Sequence, residues 1–128
     1  MGLDMYLEGR KHRWRDDSQI VDGYPVKELV LAMGYWRKHP NLHGYIVSEF
    51  AGGDDSCQPI DLSQEDIVKI IAAIKERRLP HTNGFFFGSS ENDEETVNRD
   101  LAIFTRALIW LQHPDQDGWN SVVYQASW

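Results

Sequence analysis

The chain has 128 residues, of which 41% are apolar and 26% are charged, and this composition is typical of one globular domain with its own hydrophobic core. Thirteen Lys and Arg residues oppose twenty Asp and Glu residues, and the resulting net charge of −7 argues against direct nucleic-acid binding, which needs clustered positive charge. The single cysteine, Cys57, excludes an internal disulfide bond, and no apolar run approaches the length of a membrane span. We therefore expect a cytoplasmic protein without a membrane segment.

The first half of the chain predicts two strands and one helix. Leu3, Met5 and Leu7 alternate with polar residues, which predicts a half-buried strand over residues 3–8. Residues 26–36 fit either a helix or a strand, and the sequence Gly34-Tyr35-Trp36 favours the strand because these residues are poor in helix interiors. A helix is expected to begin at Pro40, because proline suits the first turn.

The second half predicts two long helices between two strands. Residues 58–62 are a short strand candidate, weakened by Pro59. A helix is predicted over 64–78, with Ser63 and Asp66 as a capping box, and a second over 93–112, with acidic residues at its start. Residues 121–127 are strand-like. The pattern predicts an α+β fold over 1–128: a small, mostly antiparallel sheet with its terminal strands together and two main helices on one face.

Aromatic and basic residues adjoin one another before Pro40, and this is the strongest candidate for a binding site. Trp36 offers a stacking face, while Arg37 and Lys38 offer positive charge, a combination suited to a planar anionic ligand. The alternative is a strand end whose aromatic residues enter the core. Alternation puts Tyr35 and Arg37 on one strand face, so a concavity shared by Trp36, Arg37 and His43 requires the strand to end or bulge near Arg37. Asp4 is a turn cap, an ion-pair partner of Arg37 or a second residue of this site.

The remaining chemistry-bearing residues are scattered along the chain. No histidine or cysteine spacing matches a metal motif, so we expect no metal and no cofactor. His43 is the best candidate for acid–base chemistry, with Asp93 or Glu94 as its partner, although a buried structural histidine is the commoner case. Cys57 is expected to be an inert thiol. Three consecutive phenylalanines cannot all enter the core from one strand, so Phe86 is expected to face a pocket or a partner.

Several sequence blocks resemble a family of small phage and prophage proteins. These blocks are the opening MGLDMYL, the segment YWRK followed by LHGY, the segment GFFFG, the acidic pair Asp93-Glu94 and the ending YQASW. The resemblance extends over nearly the whole chain and implies a phage-type origin, but no reaction.

Size, charge and the lack of a catalytic signature together favour a non-enzymatic accessory protein. Its expected partner is a host protein with a basic surface or a small anionic ligand, and the sequence leaves its oligomeric state open. The alternative is a small enzyme acting on a nucleotide or another phosphate compound, with Arg37 and Lys38 supplying charge and His43 the acid or base. Convergence of His43, Arg37, Asp4 and Asp93 in one cleft would favour the enzyme.

Overall fold

A computed structural model describes residues 2–13, 19–82, 93–114 and 118–128. The strands are β1 (Asp4–Arg13), β2 (Ile20–Val21), β3 (Tyr24–Pro25), β4 (Glu28–Arg37), β5 (Ile60–Leu62) and β6 (Gly118–Ser127), and the helices are α1 (Pro40–Phe50), α2 (Gln64–Lys75) and α3 (Glu94–Gln112). The fold is α+β, as the sequence predicts.

Within the described residues, four strands form the main sheet in the order β4-β1-β6-β5, and every neighbouring pair is antiparallel. The two terminal strands are the central pair, with Asp4 opposite Ser127 and Arg13 opposite Gly118. Residues 28–37 are a strand, so the favoured interpretation of this segment is confirmed. The strands β2 and β3 form a separate two-stranded hairpin, which the sequence analysis did not predict.

Alternation along the strands separates a buried sheet face from an outer face. Leu3, Met5, Leu7 and Tyr124 are fully buried, and they pack against apolar side chains of α1, α2 and α3. The helical contribution comes from Leu42, Ile46, Val47, Ile67, Ile70, Ile74, Phe104 and Ala107. Burying each large aliphatic side chain stabilises the fold by about 1.5–3 kcal/mol, so this inner layer is the main source of stability.

The two long helices begin as the sequence predicts. The Ser63 hydroxyl accepts from the Asp66 N–H at 3.1 Å, and the Asp66 carboxylate accepts in return from the Ser63 N–H at 3.0 Å, which confirms the capping box. At the start of α3, the Asp93 carboxylate accepts from the Thr96 N–H at 2.9 Å. Helix α2 ends at Lys75, three residues before its predicted end, and Arg77 has a left-handed φ of 53°.

A bulge interrupts the pairing of β1 with β4. Leu7 lies opposite Gly34 but Glu8 lies opposite Ala32, so Met33 is an extra residue in β4. A Cβ atom on Gly9 would overlap the Met33 side chain and come within 3.1 Å of the Trp110 ring. A larger residue at position 9 would therefore require the end of the Met33 side chain to shift.

Candidate functional site

The outer face of the sheet carries a polar cluster centred on Asp4. Strand register places Asp4 opposite Arg37, and Tyr6 opposite Tyr35. The Tyr35 hydroxyl donates to Asp4 Oδ1 at 2.6 Å, and Arg37 Nη1 donates to the same oxygen at 3.1 Å. Both cross-strand contacts follow from alternation, since Asp4, Tyr35 and Arg37 all point to this face.

Hydrogen bonding within this cluster shifts two pKa values upward. The bond to the Asp4 carboxylate stabilises the protonated phenol and raises the pKa of Tyr35. The pKa of Arg37 is also raised, first by its interaction with Tyr35 and then by the negative charge of Asp4. Because the Arg37 side chain is 54% exposed, water screens this ion pair, and its main effect is to orient the two side chains.

Two tyrosine rings form the apolar part of this surface. The Tyr6 and Tyr35 ring centroids are 5.3 Å apart with the planes tilted by 46°, and the residues are 41% and 45% exposed. A shallow depression of about 490 Å³ extends from the two rings across Glu8 and Ala32. We call Asp4, Tyr6, Glu8, Tyr35 and Arg37 together the Tyr6–Tyr35 surface.

Trp36 lies on the opposite, buried face and is only 2% exposed. Its indole N–H donates to Asp100 Oδ1 at 2.7 Å, and His39 Nε2 lies 2.8 Å from Asp100 Oδ2. Asp100 is 1% exposed, so its carboxylate satisfies two polar side chains inside the core. The concavity expected between Trp36, Arg37 and His43 is therefore not formed, because Trp36 and Arg37 point to opposite faces of the sheet.

His43 is also enclosed, at 2% exposure. Its Nε2 lies 2.9 Å from Asp55 Oδ1 and its Nδ1 lies 2.6 Å from the Tyr124 hydroxyl. In the neutral tautomer that fits these partners, Nε2–H donates to the carboxylate and Nδ1 accepts from the phenol. Burial raises the pKa of Tyr124, which is fully enclosed, so its hydroxyl remains a donor.

The arrangement Asp55–His43–Tyr124 has the order of a carboxylate–imidazole–hydroxyl relay, which in nucleophilic enzymes activates the hydroxyl. A reacting group must reach such a hydroxyl, and Tyr124 has no exposed surface. This hydrogen-bonded chain therefore has a structural role. The buried His43 ring joins α1 to the segment after α1 through Asp55 and to β6 through Tyr124.

The other sequence candidates lie apart from this cluster. The Lys38 N–H donates to the Leu3 carbonyl, and Lys38 itself has a φ of 59°. The hydrogen bond from Thr96 lowers the pKa of Asp93, which is engaged as the cap of α3. Of the four residues expected to converge, Asp4 and Arg37 contact each other, whereas His43 lies in the core and Asp93 lies at the helix start. Phe86 lies outside the described residues.

Sequence reasoning missed Tyr6 and Asp100. Tyr6 joins the site only because β1 pairs with β4 in a register that places it opposite Tyr35, and no local pattern specifies that register. The sequence does contain a signal for Asp100. This residue follows Val97 by three positions and precedes Phe104 by four, so it lies on the apolar stripe of α3. A charged residue on a buried stripe indicates a buried partner.

Among the described residues, no group of three or more His, Cys, Asp and Glu side chains is arranged to hold a metal ion. No described helix is both long enough and apolar enough to cross a membrane. Comparison with family models, curated proteins and solved structures finds no match to this chain.

Proposed function

We propose that the protein is a non-enzymatic binding protein that holds a basic protein partner on the Tyr6–Tyr35 surface. The observation that carries this proposal is the contrast in accessibility between two sites. Tyr6 and Tyr35 present large aromatic surfaces to solvent, whereas His43, the candidate for acid–base chemistry, is enclosed in the core. Tyrosine and arginine are over-represented among the residues that dominate binding energy at protein interfaces.

Charge supports a basic partner. The outer face of the four strands carries Asp4, Glu8, Glu28 and Asp61 against Arg10 and Arg37, which is four acidic side chains against two basic ones. The whole chain has the same bias, with its net charge of −7. A negative surface accelerates encounter with a positive partner and disfavours acidic competitors.

The resemblance to phage and prophage proteins supports a protein of the bacterial host as the class of partner. The site of action in this proposal is the bacterial cytoplasm, consistent with a single cysteine and with the absence of a disulfide requirement.

A protein partner fits the geometry better than a small anionic ligand or a phosphate compound. Arg37 already donates to the Asp4 carboxylate, and that carboxylate would repel an anion approaching the same guanidinium. The enzyme alternative needs His43, Arg37 and Asp93 around one substrate. His43 instead contacts Tyr124 and Asp55. Arg37 contacts Asp4, and Asp93 contacts Thr96.

The test compares capture by the intact chain with capture by a Tyr6→Ser/Tyr35→Ser variant. Each immobilised protein is exposed to bacterial lysate at about 100 mM and about 500 mM salt, and bound proteins are quantified by mass spectrometry. A matched control, Val68→Ser/Ile109→Ser, removes two side chains of similar exposure, 52% and 54%, from α2 and α3.

We expect a basic protein to be recovered by the intact chain and by the control, with recovery reduced about tenfold in the tyrosine variant and by high salt. Equal recovery by the tyrosine variant would contradict the proposal. Hydrolysis of added nucleotides by the intact chain, abolished in a folded His43→Asn variant, would instead support the enzyme.

A further inference from the structure

Strand β4 is an edge of the sheet, and ten residues of it lie beside a single described neighbour, β1. Side chains on both of its faces are exposed, including Val30 at 54% on the outer face and Leu31 at 39% on the opposite face. A long, apolar edge strand offers unpaired backbone groups to another strand, and natural proteins usually shorten, charge or cover such an edge.

The direction of the backbone groups on β4 follows from its bonds to β1. The Lys38 N–H donates to the Leu3 carbonyl and the Arg13 N–H donates to the Lys27 carbonyl, so both ends of the ladder are anchored. Backbone groups alternate in direction along an antiparallel strand, and the bulge at Met33 shifts this alternation by one residue. The residues that direct their N–H and C=O groups to the open edge are therefore Glu28, Val30, Ala32, Tyr35 and Arg37.

We propose that two copies of this chain associate by antiparallel pairing of their β4 strands about a twofold axis, with Glu28 of each copy opposite Arg37 of the other. The pairing joins the two four-stranded sheets into one continuous eight-stranded sheet. Each copy uses the same strand, as a closed twofold interface requires.

The bulge makes this register consistent for the pairs toward the two ends of the strand, while at the centre Ala32 lies opposite the extra residue Met33. In an uninterrupted strand, residues 28 and 37 would point to opposite faces, because their separation is odd. The extra residue, Met33, restores the match, so that Glu28 and Arg37 share the outer face and their backbone groups share the open edge. Val30 and Tyr35 match in the same way.

The side chains that this register brings together are complementary. On the outer face, an acidic residue meets a basic one at each end, and Val30 meets the Tyr35 ring of the other copy, which is a favourable cross-strand pair. On the buried face, Leu31 of one copy lies opposite Gly34 of the other. There Leu31, Met33, Ile103, Arg106 and Trp110 line a groove of about 190 Å³ between β4 and α3.

The existing contacts of these residues are compatible with the pairing. Glu28 has long contacts, 3.7 Å each, to Arg10 and His12, and Arg37 uses Nη1 for Asp4, which leaves further N–H donors for a second carboxylate. Arg99 donates to the Tyr35 carbonyl, whose second lone pair can accept from the opposing strand. When two β4 strands lie antiparallel, the acidic end of each strand lies beside the basic end of the other. This edge is therefore complementary to the same edge of a second copy of the chain.

The test is a charge-reversal mixing experiment on the purified protein, with no other partner present. Sedimentation equilibrium is measured from about 1 µM to about 1 mM for the intact chain and for Glu28→Lys and Arg37→Glu, a range that brackets weak and moderate interfaces. Glu65→Lys, an exposed position on α2, is the control that makes the same charge change away from β4.

We expect the intact chain and the control to form dimers, and each β4 variant to dissociate at least about tenfold more readily, because both terminal pairs become repulsive. An equimolar mixture of the two β4 variants should recover the dimer, since in the mixed dimer each terminal pair again joins one acidic and one basic side chain. A monomeric intact chain at 1 mM, dimers unaffected by either reversal, or a mixture that remains monomeric would each overturn the proposal.

A second variant covers the case in which a charge reversal does not fold. Val30→Pro removes an N–H that points to the open edge and leaves the bonds from β4 to β1 in place. It should be a folded monomer by circular dichroism and sedimentation, and a folded Val30→Pro dimer would contradict the pairing. Because purified protein alone is measured, failure here leaves the binding function proposed above standing.

Discussion

Replacing Asp100 with alanine should test the buried polar network most directly. Asp100 is 1% exposed, and its two carboxylate oxygens lie 2.7 Å from Trp36 Nε1 and 2.8 Å from His39 Nε2. Alanine removes both acceptors and leaves two polar groups in the core without these partners. It also opens a small cavity between α3 and β4.

The expected loss of stability follows from those two partners. Each buried polar group that loses its partner costs about 1–3 kcal/mol, so the loss of both partners of Asp100 costs about 2–6 kcal/mol. A total of about 2–6 kcal/mol for Asp100→Ala corresponds to a fall of about 8–24 °C in Tm, because about 1 kcal/mol shifts Tm by about 4 °C in a domain of this size. Asp100→Asn keeps an acceptor for Trp36 and should lose about half as much.

Thermal unfolding followed by circular dichroism, with urea titration for the free energy of unfolding, measures this effect. Thr105→Ala is the control, since Thr105 is an exposed neighbour of the core residue Phe104 on the same helix. It should change Tm by less than about 2 °C. An Asp100→Ala variant that melts within the range of this control would refute the argument that the carboxylate satisfies buried partners.

Three further outcomes are expected. Asp93→Ala should lower Tm at neutral pH. The difference in Tm between the intact chain and Asp93→Asn should be present above pH 3.8 and shrink as the pH falls below that value, because Thr96 lowers the pKa of Asp93 and the stabilising charge is lost on protonation; melting curves at several pH values measure this. Deleting residues 124–128 should prevent stable folding, because Tyr124 is fully buried and its strand pairs with β1, and intact cooperative melting would contradict this. Cys57 should react with iodoacetamide no faster than an ordinary thiol at neutral pH, and Cys57→Ala should bind its partner normally; rapid alkylation would indicate a reactive thiolate and contradict the prediction of an inert thiol.

Local patterns in the sequence were sufficient for most elements. The alternation of Leu3, Met5 and Leu7 predicted β1 correctly, and the capping box at Ser63 predicted the start of α2 to the residue. Both signals are local: alternation sets which side chains share a face, and a cap satisfies backbone donors within one helical turn. The first strand was predicted too short, since its continuation over residues 9–13 is basic rather than alternating.

Partnerships between distant residues were not available from these patterns. Arg37 was weighed as a partner of Asp4, and that contact is formed, but the association of Tyr6 with Tyr35 required the β1–β4 register. The bulge at Met33 was missed as well, because it is a property of two strands in register and not of either alone.

The sequence by itself determined the α+β class, the helix starts and the net negative charge, and it favoured a strand over a helix for residues 26–36, since each depends on composition or on residues close along the chain. Only the tertiary structure decided which candidates remain accessible. Trp36 and His43 both looked suited to ligand chemistry, yet Trp36 meets Asp100 across 64 residues and His43 meets Tyr124 across 81. Burying a polar group is favourable only when a partner is supplied, and that partner came from whichever distant element the fold packed against it.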